Sequence, residues 1–128
     1  MAIYHGRASA KISGGKLRSN RHKKRFELGN EPTLTVLGNV KRKQVRGMGG
    51  NNKSALLTGN EINVTDPKAK VTKKVKILNV KENIADPHFA QRNIITKGAI
   101  VVTELGNARV TSRPGQSGRI NAVLIQKK

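Results

Sequence analysis

The chain has 128 residues, which suits a single domain, and it carries 26 Lys and Arg against 7 Asp and Glu. Its formal net charge of +19 destabilises a compact monomer by self-repulsion and predicts a polyanionic partner. The absence of cysteine excludes disulfides, thiolate metal sites, iron–sulfur clusters and cysteine nucleophiles. The three histidines, His5, His22 and His88, are too far apart in sequence for a local metal motif. We therefore expect no cofactor.

Residues 1–30 are predicted to form a basic extension, called the arm below. Between Arg7 and Arg25 the sequence has eight Lys or Arg, no Asp or Glu, and only Ile12 and Leu17 as large apolar side chains. Such a segment buries too little apolar surface to offset the entropy lost on ordering, so we expect it to become ordered on nucleic acid. A short helix over residues 16–28, ended by Gly29, is the local alternative, although it lacks an apolar stripe.

Residues 31–128 are predicted to form a β-barrel domain. Short runs of Val, Ile and Thr alternate there with Gly, Asn, Pro and Asp, as is typical of strands and turns. Gly-Asn pairs, which tolerate the positive φ of tight turns, occur at 29–30, 38–39, 59–60 and 106–107. The predicted strands are Thr33–Leu37, Val40–Arg46, Lys53–Thr58, Glu61–Thr65, Val71–Val80, Ile94–Thr96, Ala99–Glu104, Ala108–Ser112 and Ile120–Ile125.

The longest of these strands, Val71–Val80, has the clearest period. Lys and apolar residues alternate from Lys74 to Ile77, which puts Lys on one face and apolar side chains on the other. A helical spacing of Val71, Val75 and Leu78 also fits, but the β-branched content favours a strand. The fold class is therefore mainly β: a small antiparallel β-barrel with an aliphatic core and an extended basic N-terminal arm.

The glycine-rich segment Arg46–Ser54 ends in Lys-Ser, as a nucleotide-binding P-loop does. A P-loop needs glycine directly before that Lys, and Asn52 occupies the position, so the phosphate cradle is incomplete. The segment predicts a glycine-rich hairpin loop. The alternative is a loop whose backbone N–H groups, with Arg46 and Lys53, approach RNA phosphate.

The remaining polar residues do not predict an enzyme. The carboxylates of the second part each lie beside a Lys, a Pro or a turn, and no pattern assembles a nucleophile, a base and an orienting group. No apolar run exceeds four residues, far short of the ~20 that a membrane span needs, and no signal peptide is visible, so no membrane partner is expected. The chain has only three aromatic residues, Tyr4, Phe26 and Phe89, and they are scattered in the sequence. Because so few aromatic side chains do not make a stacking platform, we expect the protein to recognise the backbone and shape of RNA.

The predicted RNA-binding residues are cations of the arm and of the barrel loops. Arginine is prominent among them because its planar fork suits bidentate phosphate contacts. The arm supplies Arg7, Lys11, Lys16, Arg18, Arg21, His22, Lys23, Lys24 and Arg25, and the barrel supplies Arg42, Lys43, Arg46, Lys53, Arg113 and Arg119.

Several sequence blocks, in this order, resemble the archaeal/eukaryotic-type small-subunit ribosomal protein eight family. They cover nearly the whole chain and are specific jointly. The blocks are SGGK at 13–16, HKKRFELG at 22–29, GGNNK at 49–53 followed by Ala55-Leu56, TKGAIV at 96–101 and SRPGQSGR at 112–119. Eukaryotic members carry a long charged insertion where only a few residues separate Glu104 from Ser112 here, so the chain resembles the compact archaeal form. The family's Trp after the strand that ends at Val64 is absent.

The resemblance implies a structural component of the small ribosomal subunit, cytoplasmic and ribosome-associated. It implies binding to small-subunit ribosomal RNA, contact with neighbouring ribosomal proteins, and no small-molecule substrate. The alternatives are a ribosome-assembly factor that shares parts of the pattern, a free-standing architectural nucleic-acid binder and, remotely, a nucleotide-dependent enzyme.

Overall fold

The computed structural model describes Ile3, Tyr4 and residues 6–125. The chain divides into two compact units, Met1–Pro32 and Thr33–Lys128. No helix among the described residues is long and apolar enough to cross a membrane.

The first unit is held by a short two-stranded sheet. Strand β1 (Ile3–Tyr4) pairs antiparallel with β2 (Leu28–Gly29). The alternative of a helix over residues 16–28 is wrong, because that stretch has one 3-10 turn, Arg25–Glu27, and no α-helix. Adjacent cations repel one another and no apolar stripe offsets that repulsion, so a longer helix gains no packing.

The second unit contains every strand predicted beyond residue 33, with ends within two residues of the prediction. The strands are β3 (Thr35–Val36), β4 (Lys41–Arg46), β5 (Asn52–Thr58), β6 (Glu61–Asp66), β7 (Val71–Glu82), β8 (Ile94–Ile95), β9 (Ile100–Thr103), β10 (Gly106–Val110) and β11 (Asn121–Leu124). Two single-turn helices, α1 (Pro87–Gln91) and α2 (Pro114–Ser117), occupy positions that the sequence marks as Pro-containing turns.

Five strands close into a barrel in the order β10-β11-β6-β7-β9, so the prediction of a mainly β barrel is confirmed. Four of the five neighbouring pairs are antiparallel. The closing pair, β11 with β6, is parallel, with Asn121 opposite Asn63 and Val123 opposite Thr65. A second sheet has the order β4-β5-β3-β8, which leaves the cationic β4 at an edge. Charged side chains are typical of edge strands because they oppose edge-to-edge pairing.

The barrel core is aliphatic, as the composition predicts. Its members come from β5 to β11 and include Ile62, Val64, Ile77, Val80, Ile95, Val101 and Val110. The period-two pattern of β7 holds through Leu78, which follows the buried Ile77 and is 60% exposed. A bulge then leaves Asn79 exposed as well and returns the chain to the core at Val80. The helical spacing is thereby excluded, since its Leu78 and Val71 lie at the surface.

Candidate nucleic-acid interface

All fifteen predicted RNA-binding side chains are exposed to solvent. Exposure is usual for Lys and Arg, so the arrangement of these residues carries more information than their accessibility. The structure places nine of them in four features: a tight turn and a latch in the first unit, and a hairpin and a groove in the second.

The tight turn spans residues 9–17. The Leu17 N–H donates to Ser9 O at 2.8 Å, and the Lys11 N–H donates to Gly15 O at the same distance. Gly14 adopts φ +85°, a left-handed conformation that a side chain disfavours, so the Gly-Gly pair permits the reversal. The turn places Lys11 and Lys16 on the two halves of one small hairpin, and both are exposed to solvent.

The latch is built around Glu27, which sequence reasoning did not single out. Its carboxylate accepts from both terminal nitrogens of Arg21, with 3.0 Å between Arg21 Nη1 and Glu27 Oε2, and from the Lys24 N–H at 2.9 Å. The Arg21 hydrogen bond, followed by that of the Lys24 N–H, lowers the pKa of Glu27 from 4.5 to about 2. Some of the guanidinium N–H groups of Arg21 therefore donate to Glu27. Sequence reasoning assigned all of them to phosphate.

The β4–β5 hairpin carries four of the predicted residues. Its loop contains a 3-10 turn at Met48–Gly50, and Gly49 and Gly50 have positive φ. This geometry confirms a glycine-rich hairpin loop. The loop leads into strand β5, whereas a P-loop leads into a helix, which removes the structural context for nucleotide binding.

Strand alternation separates the cations of β4. Arg42 and Arg46 share one face, while Lys43 takes the opposite face together with the half-buried Val45. Lys53 lies opposite Val45, next to the loop. These four cations therefore cannot all meet one flat surface.

A groove on the second unit gathers Arg42, Arg119 and Lys74 from three separate elements. The uncharged residues that line it are Val40, Leu56, Gly59, Asn63, Gly118 and Ile120. Glu61 also lines the groove and pairs with Lys74, with 2.7 Å between Nζ and Oε2. Sequence reasoning predicted two of the three cations. It missed Lys74, because period two shows which face of a strand a Lys occupies and not which loops lie above that face.

The backbone around Arg119 is fixed on both sides. The Arg119 carbonyl accepts from Ser112 Oγ at 3.0 Å and from Ser117 Oγ at 3.2 Å. Gly118 ends α2 with φ +66° and packs directly on β5. Arg113 begins this turn but is not among the residues that line the groove. The result is a cation held at a defined place on the barrel.

The described residues contain no group of three or more His, Cys, Asp or Glu that could hold a metal ion. The one clearly shifted carboxyl pKa in this part of the chain, that of Glu27, is explained by its ion pair. The candidate site is thus a set of exposed Lys and Arg side chains carried by a small β-sheet protein.

A closed aliphatic barrel with an edge hairpin, a cationic groove and a basic extension defines a small, highly basic all-β protein. The profile of the family described as Ribosomal protein S8e matches residues 4–125. The chain belongs to this family of ribosomal proteins, and it is a structural protein, not an enzyme.

Archaeal relatives agree with this membership over 98% or more of their length. Small ribosomal subunit protein eS8 of Picrophilus torridus is 59% identical over 125 residues, which cover 98% of this chain and 100% of that protein. The protein of the same name from Methanococcoides burtonii is 50% identical over 123 residues, covering 96% and 98%. That of Methanocella arvoryzae is 48% identical over 122 residues, covering 95% and 98%.

Proposed function

We propose that this chain is a structural constituent of the small ribosomal subunit and binds ribosomal RNA through its arm and through the cations of the barrel. One observation carries the proposal: over 95–98% of its length, the chain is 48–59% identical to proteins named for that subunit. In the proposal the chain works in the cytoplasm, as part of the ribosome, beside neighbouring ribosomal proteins.

The charge distribution supports RNA as the direct partner. Residues 1–53 contain 13 Lys and Arg and 2 acidic residues, a net of +11, and residues 54–128 contain 13 and 5, a net of +8. Both parts are therefore strongly basic, and phosphate groups would relieve the repulsion within each. Two of the seven carboxylates, those of Glu27 and Glu61, are engaged by Arg21 and Lys74.

The two units are suited to different aspects of RNA binding. The arm offers many cations on a chain that follows a phosphate groove, which gives affinity with little sequence information. The groove offers Arg42 and Arg119 at fixed positions, so it selects a particular arrangement of phosphates. In the proposal the arm supplies most of the binding and the barrel chooses the site.

Two measurements test the proposal. A structural constituent remains on purified mature small subunits at near one-to-one stoichiometry after a high-salt wash, whereas an assembly factor is found only on immature particles. Binding of the purified chain to small-subunit ribosomal RNA should fall with salt at a log–log slope of about −6 to −9 if about 8–10 phosphates are neutralised. A slope shallower than about −3 contradicts the proposed RNA contact.

A further inference from the structure

Phe26 is a large aromatic side chain that the arm holds in solvent. It is 75% exposed, whereas Phe89 on α1 is half-buried. A single exposed apolar residue needs no explanation by itself. Phe26 differs because the backbone that carries it is fixed and because its surroundings are charged.

The backbone at Phe26 is fixed from three sides. The Glu27 N–H donates to Lys24 O at 3.0 Å, and the Leu28 N–H donates to Arg25 O, which closes the 3-10 turn. The Glu27 carboxylate is held by Arg21 and by the Lys24 N–H. Directly after the turn the chain enters β2. Phe26 is therefore presented at a defined position instead of on a loose segment.

The surroundings of Phe26 are cationic. The Lys24 ammonium lies 5.9 Å from the ring centroid, and Arg25 precedes the ring in the chain. The one carboxylate in the turn, that of Glu27, is neutralised by Arg21. A neighbour that covers this ring must accept several positive charges around a flat apolar face. A nucleic-acid base meets both conditions, because its flanking phosphates accept the charges and its π-face covers the ring, whereas an apolar protein pocket covers the ring but does not accept the charges.

We propose that Phe26 stacks on an unpaired base of the RNA that the arm binds. The inference rests on the proposed RNA-binding function and adds a base-stacking contact to an otherwise phosphate-directed arm. The latch of Arg21 and Glu27 then acts as a positioning device that fixes where along the RNA the ring can stack.

The first test uses the absence of tryptophan from the chain. Phe26→Trp makes a full-length protein with one indole, which reports directly on the site. Titration with small-subunit ribosomal RNA purified from the organism's own ribosomes should quench the indole emission and reduce its access to acrylamide. Binding at wild-type affinity with unchanged emission and access would refute stacking and leave the proposed function intact.

The second test separates stacking from charge. Phe26→Ala should weaken RNA binding by about five-fold to a hundred-fold and leave the log–log salt slope unchanged. The matched control, Lys24→Ala, should reduce the magnitude of that slope by about 1. Phe26→Tyr should retain wild-type affinity within about three-fold, because it keeps the π-face. A loss with Phe26→Tyr equal to that with Phe26→Ala contradicts stacking.

A protein partner gives a different result. Blue-shifted, unquenched emission of the Phe26→Trp protein on addition of RNA-free small-subunit proteins, with no response to RNA, would overturn the inference in favour of an apolar pocket. Failure of the wild-type chain to bind the RNA at all would overturn the proposed function together with the inference.

Discussion

Gly118 lies so close to Ser54 that a β-carbon on Gly118 would clash with Ser54 Oγ and stand 2.9 Å from Ser54 Cβ. The turn that carries Arg119 is thereby seated on strand β5, in direct contact with its backbone and side chain. Gly118 also has φ +66°, which a residue with a β-carbon rarely adopts. One residue thus closes α2, packs it on the second sheet and fixes one wall of the cationic groove.

Replacing Gly118 should therefore destabilise the barrel unit. Gly118→Ala adds backbone strain of roughly 1 kcal/mol to a steric clash that forces β5 and α2 apart, for a total of about 2–4 kcal/mol. Urea unfolding followed by far-UV circular dichroism measures the loss. The matched control is Gly50→Ala, because Gly50 has φ +80° and nothing within 4 Å of its would-be β-carbon. Equal losses in the two variants would contradict the packing argument.

Asn83 should be a second position of high sensitivity. It is buried, its Nδ2 donates to Ile94 O at 3.2 Å, and its Oδ1 accepts from the Ala85 N–H at 3.1 Å and from Thr96 Oγ1 at 2.9 Å. Asn83→Ala leaves these groups without their partner, which costs about 1–3 kcal/mol. Thermal unfolding measures the effect.

The control for Asn83 is Asn79→Ala on strand β7, which ends just before Asn83. Asn79 is exposed and its side chain bonds only its neighbour's N–H in the described structure, so we expect a change of about 0.5 kcal/mol or less. A loss in the Asn79 variant as large as that in the Asn83 variant would contradict a special role for the buried network.

The latch predicts an unusual titration for Glu27. Its pKa is lowered to about 2 in the folded arm from 4.5, so its contribution to the order of the turn is complete above about pH 4.5 and is lost as the pH falls towards 2. Nuclear magnetic resonance of the side-chain carboxyl carbon should show this low midpoint in the wild type. In Arg21→Ala the midpoint should rise towards 4.5, while Arg18→Ala should leave it in place. A wild-type midpoint near 4.5 would show that the latch does not form in solution.

The sequence predicts local structure well and long-range structure poorly in this chain. The nine strands beyond residue 33 are predicted because each depends on a local pattern: apolar and polar residues alternate within the strand, and Gly-Asn or Pro turns bound it. The parallel pairing of β11 with β6 is not predicted, since it joins segments that share no hairpin. The bulge after Ile77 is also missed, because a one-residue shift leaves no separate mark in the pattern.

The candidate site was likewise predicted only where it depends on local sequence. The cations of the arm and of β4 follow from composition, because density of charge is a local property. The groove does not, since Arg42, Lys74 and Arg119 meet only when the barrel closes. The engagement of Arg21 by Glu27 depends on a 3-10 turn that residue types alone do not distinguish from a coil.

The arm should contribute more to RNA binding than the barrel when four cations are removed from each. Replacing Lys11, Lys16, Arg18 and Arg25 together by Ala should weaken binding to small-subunit ribosomal RNA by several kcal/mol, at roughly 1 kcal/mol or more for each charge-assisted contact. The fold of residues 33–128 should be unchanged, because none of the four belongs to that unit. Filter binding at one fixed salt concentration measures the loss, and circular dichroism checks the fold.

The matched barrel variant replaces Arg42, Lys43, Arg46 and Arg119 by Ala and removes the same number of charges. We expect the smaller loss there, because Lys43 faces away from Arg42 and Arg46 on β4 and one RNA surface cannot contact all four. The four cations of the arm are all exposed and do not lie on the two faces of one paired strand, so we expect RNA to contact more of them together. A larger loss in the barrel variant would show that the fixed cations of the groove and hairpin dominate the affinity and that the arm contributes mainly as a solvated extension.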